Sequence, residues 1–148
     1  METIYVLNGP NLNLLGLREP DIYGTKSYAE LYDFLREEGA ENGIDVLVYQ
    51  SNHEGALIDR LQAAVSMPGL IGVIINAGGY THTSISLRDC IAAMPYPVVE
   101  VHLTDISKRE SFRNFSLLSD VCDVTFMGEG FGSYQKAIHY LMNIEKKC

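Results

Sequence analysis

Short runs of β-branched and other apolar residues alternate along this chain with segments whose apolar positions recur at helical spacing. No other feature restricts the fold as much, because strands joined by helical crossovers pair in parallel, and a parallel sheet must be covered on both faces. Ile4 to Leu7 reads as the first strand and ends at the turn-forming Asn8-Gly9-Pro10-Asn11. Val46 to Tyr49, Leu70 to Ile75, Val98 to Val101 and Val124 to Met127 follow; Leu70 to Ile75 is apolar on both faces and should be central. Between them, Ser27 with Glu30 forms a capping box ahead of Leu31, Phe34 and Leu35, in a helix that runs up to Gly39. A second helix starts near Glu54, carries Ile58, Leu61 and Val65 on one face, and stops at Pro68-Gly69. Ile85 to Ala93, a short helix near Phe112 to Leu118, and Ser133 to Ile144 complete the pattern. Five strands and five helices in alternation predict an α/β protein with a doubly wound, flavodoxin-like, five-stranded parallel sheet. At 148 residues the whole chain, 1–148, is the size of a single domain.

In such a sheet, ligands sit beyond the carboxyl ends of the strands, near the point where strand order reverses. That rule brings scattered polar residues together. Asn8 and Asn11 end the first strand, Asn76-Ala77-Gly78-Gly79 the third, with His82 just after, and Glu100-Val101-His102 the fourth. Strand side chains alternate, so Glu100 and His102 point to one face and the carboxylate can orient or charge-stabilise the imidazole. Gly78 and Gly79 permit close backbone approach to a ligand. The stretch Asn8 to Thr25 lacks periodicity, and its part from about 11 to 25, with Arg18 and Tyr23, has the length of a lid. Guanidinium groups beside a phenol favour the phenolate, which makes Tyr23 a candidate general base. Arg109 and Arg113, four residues apart, should share a helix face, either binding an anion or hydroxyl or pairing with Glu110 or Asp105.

Each position also has a plainer use. Asn suits turns at strand ends, a loop tyrosine is commonly an amphipathic cover, and His53 and His139 read as capping or surface histidines. Glu100, His102 and His82 could form a metal site, since two His and one carboxylate are a known ligand set. The neighbouring arginines would oppose a bound cation, so acid–base chemistry without a metal is the expectation.

Eleven Lys and Arg against 19 Asp and Glu give a formal net charge of -8. A surface of that sign repels phosphate backbones and anionic lipid and argues against nucleic-acid or membrane partners. Apolar runs stop at strand length, and METIYVLNGP lacks a basic n-region and a small-residue cleavage site, so a cytoplasmic protein is expected. Cys90, Cys122 and Cys148 are odd in number, show no CxxC spacing and read as reduced thiols.

Five stretches, in order and spread over nearly the whole chain, resemble the type II 3-dehydroquinate dehydratases. They are Leu7-Asn8-Gly9-Pro10-Asn11-Leu12-Asn13-Leu14-Leu15-Gly16, Arg18-Glu19-Pro20 through Tyr23-Gly24, Gln50-Ser51-Asn52-His53-Glu54-Gly55, Asn76 through Tyr80-Thr81-His82-Thr83-Ser84, and Glu100-Val101-His102-Leu103 through Arg109-Glu110 and Phe112-Arg113. The resemblance implies cofactor-free conversion of 3-dehydroquinate to 3-dehydroshikimate by anti elimination of water through an enolate, without a lysine Schiff base. It implies that Tyr23, activated by Arg18, is the base, that Asn11 helps hold the enolate through a water, and that His102, oriented by Glu100, protonates the departing hydroxyl. Asn76, His82 and Arg113 match positions that hold the ring hydroxyls, and the backbone at Leu103 and Thr104 matches the carboxylate cradle. Asp89 matches a residue that reaches into a neighbouring subunit, which implies a homo-oligomer of trimers assembled as a dodecamer. The step serves both shikimate-pathway biosynthesis of aromatic amino acids and quinate catabolism.

The chain departs from the family pattern twice. Asn76-Ala77-Gly78-Gly79 stands where the family usually has Asn-Pro-Gly-Ala, and Thr104-Asp105-Ile106-Ser107-Lys108-Arg109 where it has Ser-Asn-Ile-His-Ala-Arg. Thr104 keeps a hydroxyl and an N–H, whereas Asp105 is expected to put a negative charge near an anionic substrate or to alter the trimer contact. Two rivals share the fold. A flavin electron carrier wants a Ser/Thr-rich phosphate turn after the first strand, and a receiver-type signalling module wants an acidic cluster there and a lysine after the last; Asn8 to Gly16 and Met127-Gly128 supply neither.

Overall fold

The computed structural model describes residues 1–17, 20–23 and 25–144. Five strands, β1 (Thr3–Asn8), β2 (Asp45–Gln50), β3 (Leu70–Asn76), β4 (Val98–His102) and β5 (Val124–Met127), form one parallel sheet in the order β2-β1-β3-β4-β5. This is the doubly wound order that the alternation predicts, with β3 in the middle. Period two divides each strand between two cores. On one face Ile4, Val6, Ile74 and Val99 pack with Leu31 and Leu35 of helix α2 (Tyr28–Glu41) and Ile138 and Leu141 of α5 (Phe131–Asn143). On the other, Tyr5, Leu7, Val73 and Ile75 pack with Leu57 and Leu61 of α3 (Glu54–Ala63) and Leu87 and Ile91 of α4 (Ile85–Ala93). A single turn, α1 (Pro20–Tyr23), lies in the connection after β1. Ser27 caps α2 as its spacing predicts, its hydroxyl accepting from the Glu30 N–H at 3.1 Å.

Three details differ from the sequence reading, each for a local reason. The helix after Ser27 runs past Gly39 to Glu41, because Gly39 is a contact position under β2: a Cβ there would lie 2.6 Å from Val46 Cγ2. On α3 Leu57 and Leu61 are buried and Ile58 packs beside them, but the chain tightens to a 3₁₀ turn at Ala64–Ser66, which buries Ala64 and leaves the predicted Val65 52% exposed. No α-helix forms near Phe112 to Leu118. The β4–β5 connection holds two 3₁₀ turns, Ile106–Lys108 and Ser111–Arg113, separated by extended backbone at Arg109 and Glu110, so the two arginines share no helix face. Gly78 also approaches protein backbone: at φ +58° its Cβ would lie 3.0 Å from the Pro10 carbonyl oxygen, while the Cβ position of Gly79 is open.

Gly9 makes the reciprocal approach. Its N–H donates to the Asn76 carbonyl at 2.7 Å, and any Cβ on it would run into the Ala77 carbonyl. The turns that end β1 and β3 therefore touch backbone to backbone, which holds Asn11 and Asn76 at one rim. Gly9→Ala should destabilise the protein by about 1–3 kcal/mol through overpacking, read as a lower urea midpoint with an unchanged m-value.

Candidate active site

A cleft of about 290 Å³ opens at the carboxyl ends of β1, β3 and β4, lined among others by Asn11, Asn76, His82, His102, Arg109 and Arg113. It sits at the switch point, where the chain passes from β1 out to β2 and back to β3. Leu103, Thr104, Ile106 and Phe112 complete its β4–β5 side.

Beneath the cleft floor, Glu100 is 0% exposed in the middle of β4. Its Oε2 accepts from His102 Nε2 at 2.6 Å and from the Ser116 hydroxyl at 2.6 Å; its Oε1 accepts from the hydroxyls of Ser119 at 2.6 Å and Thr125 at 2.8 Å. Burial works to raise this carboxyl, but the hydrogen bonds and charge of His102 and the hydroxyls of Ser116 and Ser119 overcome it and draw the group down to about 2. Since the carboxylate only accepts, His102 Nε2 carries a proton, and Nδ1 is the ring nitrogen that Glu100 leaves unengaged.

His82 is held differently. Its Nδ1 lies 2.5 Å from the Phe115 carbonyl oxygen, which can only accept, so Nδ1 carries the proton and Nε2 is an acceptor. Burial lowers its pKa, the Phe115 hydrogen bond opposes that, and the charges of His102, Arg113 and Arg109 lower it further.

A second buried chain fixes the amides. Asn76 Nδ2 donates to the Tyr134 hydroxyl at 3.0 Å, and Tyr134 in turn donates to Asn8 Oδ1 at 2.7 Å, with Tyr134 on α5 fully buried. Asn11 takes the left-handed conformation at φ 69°, and its N–H donates to Asn52 Oδ1 at 3.0 Å. Gln50 Nε2 also donates to Asn52 Oδ1 at 3.1 Å and to the Gly9 carbonyl at 3.1 Å, which ties the Gln50 to Gly55 segment to the β1 turn.

The predicted site residues Asn11, Asn76, His82, His102, Leu103, Thr104 and Arg113 thus line one cleft, with Glu100 behind His102. Asp89, exposed on α4, does not line it. Arg18 and the Tyr23 side chain lie outside the described residues. Glu110 pairs with Arg113 at 3.0 Å and approaches Arg109 at 3.9 Å, so these cations are both ion-paired and cleft-lining. Asp105 does not line the cleft; it caps the 3₁₀ turn, accepting from Ser107 N at 3.0 Å and Ser107 Oγ at 2.6 Å. Among the described residues no three His, Cys, Asp or Glu side chains are grouped to hold a metal ion. Ser116, Ser119, Thr125 and Tyr134 carried no motif, and only their contacts reveal them. His139 pairs with Glu38 at 3.0 Å, away from the site.

Comparison with known proteins decides the family. The model for "Dehydroquinase class II" matches residues 2–142. This chain belongs to the class II dehydroquinases. It is 49% identical to the 3-dehydroquinate dehydratase of Bordetella avium over 93% of this chain and 95% of that protein. It is 51% identical to that of Azorhizobium caulinodans over 90% and 88%. The crystal structure of the type II dehydroquinase from Butyrivibrio crossotus superposes with a TM-score of 0.93 at 42% identity, covering 96% of this chain and 98% of that one. The cleft of this dehydroquinase-family chain is therefore built on a scaffold shared with solved members.

The fall of the Glu100 carboxyl from an ordinary 4.5 to about 2 corresponds to about 3 kcal/mol of stability. Because the folded value is depressed, that contribution is present above pH 4.5 and is lost as pH falls towards 2. Glu100→Gln should be less stable than the parent at pH 7, with the gap in unfolding free energy closing between about pH 4.5 and 2; a pH-independent gap would show that the carboxylate's charge is not what the fold uses.

Proposed function

We propose that this chain dehydrates 3-dehydroquinate to 3-dehydroshikimate. The observation that carries the reading is the convergence of Asn11, Asn76, His82, Arg113 and the Glu100–His102 pair on one cleft, in a chain of the class II dehydroquinase family. Tyr23, with its phenolate favoured by Arg18, removes a proton from the carbon beside the ketone. The enolate is held by polar groups that include Asn11, acting through a water. His102 then protonates the departing hydroxyl from the opposite ring face, which makes the elimination anti. Glu100 behind its Nε2 at 2.6 Å supports that role, since the ring keeps an anionic partner throughout the transfer. His82 Nε2, an acceptor, suits a substrate hydroxyl, as do the Asn76 amide and Arg113, while the backbone at Leu103 and Thr104 takes the carboxylate. Asp105, engaged by Ser107 at 2.6 Å, is directed to its own turn and not to the substrate.

No lysine lines the cleft among the described residues, which supports a route without an imine. We assign the connection 11–25 as a lid over a single catalytic domain, supported by Asn11 and Leu12 at the cleft rim. No helix of the described residues is long and apolar enough to cross a membrane; we place the protein in the cytoplasm. Exposed Asp89, with Phe112 63% and Ile85 63% exposed, supports assembly into trimers and a dodecamer in which Asp89 completes a neighbour's site. The reaction suits either aromatic amino acid biosynthesis through shikimate or quinate breakdown.

Assayed by enone absorbance, Tyr23→Phe should abolish turnover and His102→Ala should lower it by roughly 10²–10⁴-fold, with circular dichroism unchanged; near-normal turnover of either removes that residue's role. Borohydride with substrate present should leave the enzyme active, and inactivation would point to an imine. In light scattering the active species should be larger than a monomer, and a fully active monomer would refute the shared site.

A further inference from the structure

We propose that Ser116, Ser119 and Thr125 are positioning residues for this reaction, forming a hydroxyl cage that keeps the Glu100 carboxylate charged and turned towards His102. The inference rests on the function proposed above for its kinetic consequence, but the cage stands on geometry. Three hydroxyls from two separate elements, the β4–β5 connection and β5, meet one carboxylate at 2.6, 2.6 and 2.8 Å. Thr125 lies directly across from Glu100 in the β4–β5 register, so its side chain shares the face on which Glu100 stands. Ser116 has no freedom to turn: its Oγ already accepts from the Leu118 N–H at 3.0 Å, which leaves its one proton for Glu100 Oε2.

With the His102 contact, each carboxylate oxygen receives two donors. Protonating the group would turn one oxygen into a donor and oblige a hydroxyl to turn its proton away. Without the cage the buried carboxylate would lose three of its four donors, and His102 alone would hold its rotation, so the oxygen that faces Nε2 would no longer be fixed. The titratable and charged groups around the pair are the Cys122 thiol, which feels Glu100, and His82, Arg109 and Arg113 on the cleft side, where His82 feels all three of its neighbours. Among the described residues the donors to the Glu100 carboxylate are the three hydroxyls and His102.

The test uses full-length Ser119→Ala, isosteric Thr125→Val and their double variant, with Thr125→Ser as the rescue. Carbon-detected NMR of the Glu100 carboxyl should show it titrating higher by about one pH unit or more in the double variant, since each lost bond is to a charged group. kcat should fall with KM unchanged, because His102 loses the fixed orientation of its partner, and Thr125→Ser should restore both. The carboxyl measurement needs no turnover, so it judges the cage even if 3-dehydroquinate is not the substrate. A folded double variant with an unmoved Glu100 titration overturns the proposal, as does one with kcat unchanged. If the double variant does not fold, the single variants carry the same two measurements with smaller shifts.

Discussion

A carboxylate fully buried on an inner strand of a parallel sheet is costly to keep charged, and much of the structure around it follows from keeping it so. Glu100 sits on β4 with 0% exposure, where an unpaired charge would neutralise. A regular amphipathic helix between β4 and β5 would cover the sheet with apolar side chains and offer no donors. The connection instead runs as 3₁₀ turns and extended backbone, which lets Ser116 and Ser119 reach inward while Leu118 between them fills the apolar layer with full burial. The missing helix of the crossover and the charged carboxylate are thus one arrangement.

The same connection builds half of the cleft. Arg109 and Arg113 line it from the two sides of Glu110, and the Phe115 carbonyl fixes His82. A chain with a formal charge of -8 therefore presents local positive charge at one rim, suited to a small anion and too confined for a polyanion. The backbone contact of Gly9 with Ala77 and of Gly78 with Pro10 supplies the opposite rim. The sheet ends and an irregular connection face one cleft, the first fixing position and the second supplying charge.

How much of this could be read in the sequence follows from which interactions are local. The strands were legible because burial on both faces leaves uninterrupted apolar runs, and the pairing of Glu100 with His102 because strand periodicity alone puts i and i+2 on one face. The convergence of Asn11, Asn76 and His82 required only the parallel topology. The cage was not legible: Ser116 and Ser119 look like ordinary loop serines, and Thr125 like an ordinary strand residue, until the register sets Thr125 beside Glu100. The spacing of Arg109 and Arg113 misled because four residues mean one face only in a helix, and extended backbone at Arg109 and Glu110 breaks that period. Tyr134 was hidden for the converse reason. It sits in α5, 58 residues from Asn76, on a helix whose apolar stripe gives no hint that one phenol tip joins two strand-end amides.

The two cleft histidines show how the surroundings divide work between chemically identical rings. His102 has an anion 2.6 Å from Nε2, itself held by three hydroxyls, so positive charge on that ring has a fixed counterpart. His82 has a neutral carbonyl at Nδ1 and feels His102, Arg109 and Arg113, all of which oppose a second positive charge. The first ring is built to carry a proton and the second to accept a hydrogen bond. Exchanging their anchors, and not their positions, would exchange those abilities, because neither ring's own chemistry differs. Within the proposed reaction this division assigns proton transfer to the ring on β4 and hydroxyl recognition to the ring after β3, and it makes the orientation of one buried carboxylate the source of that asymmetry.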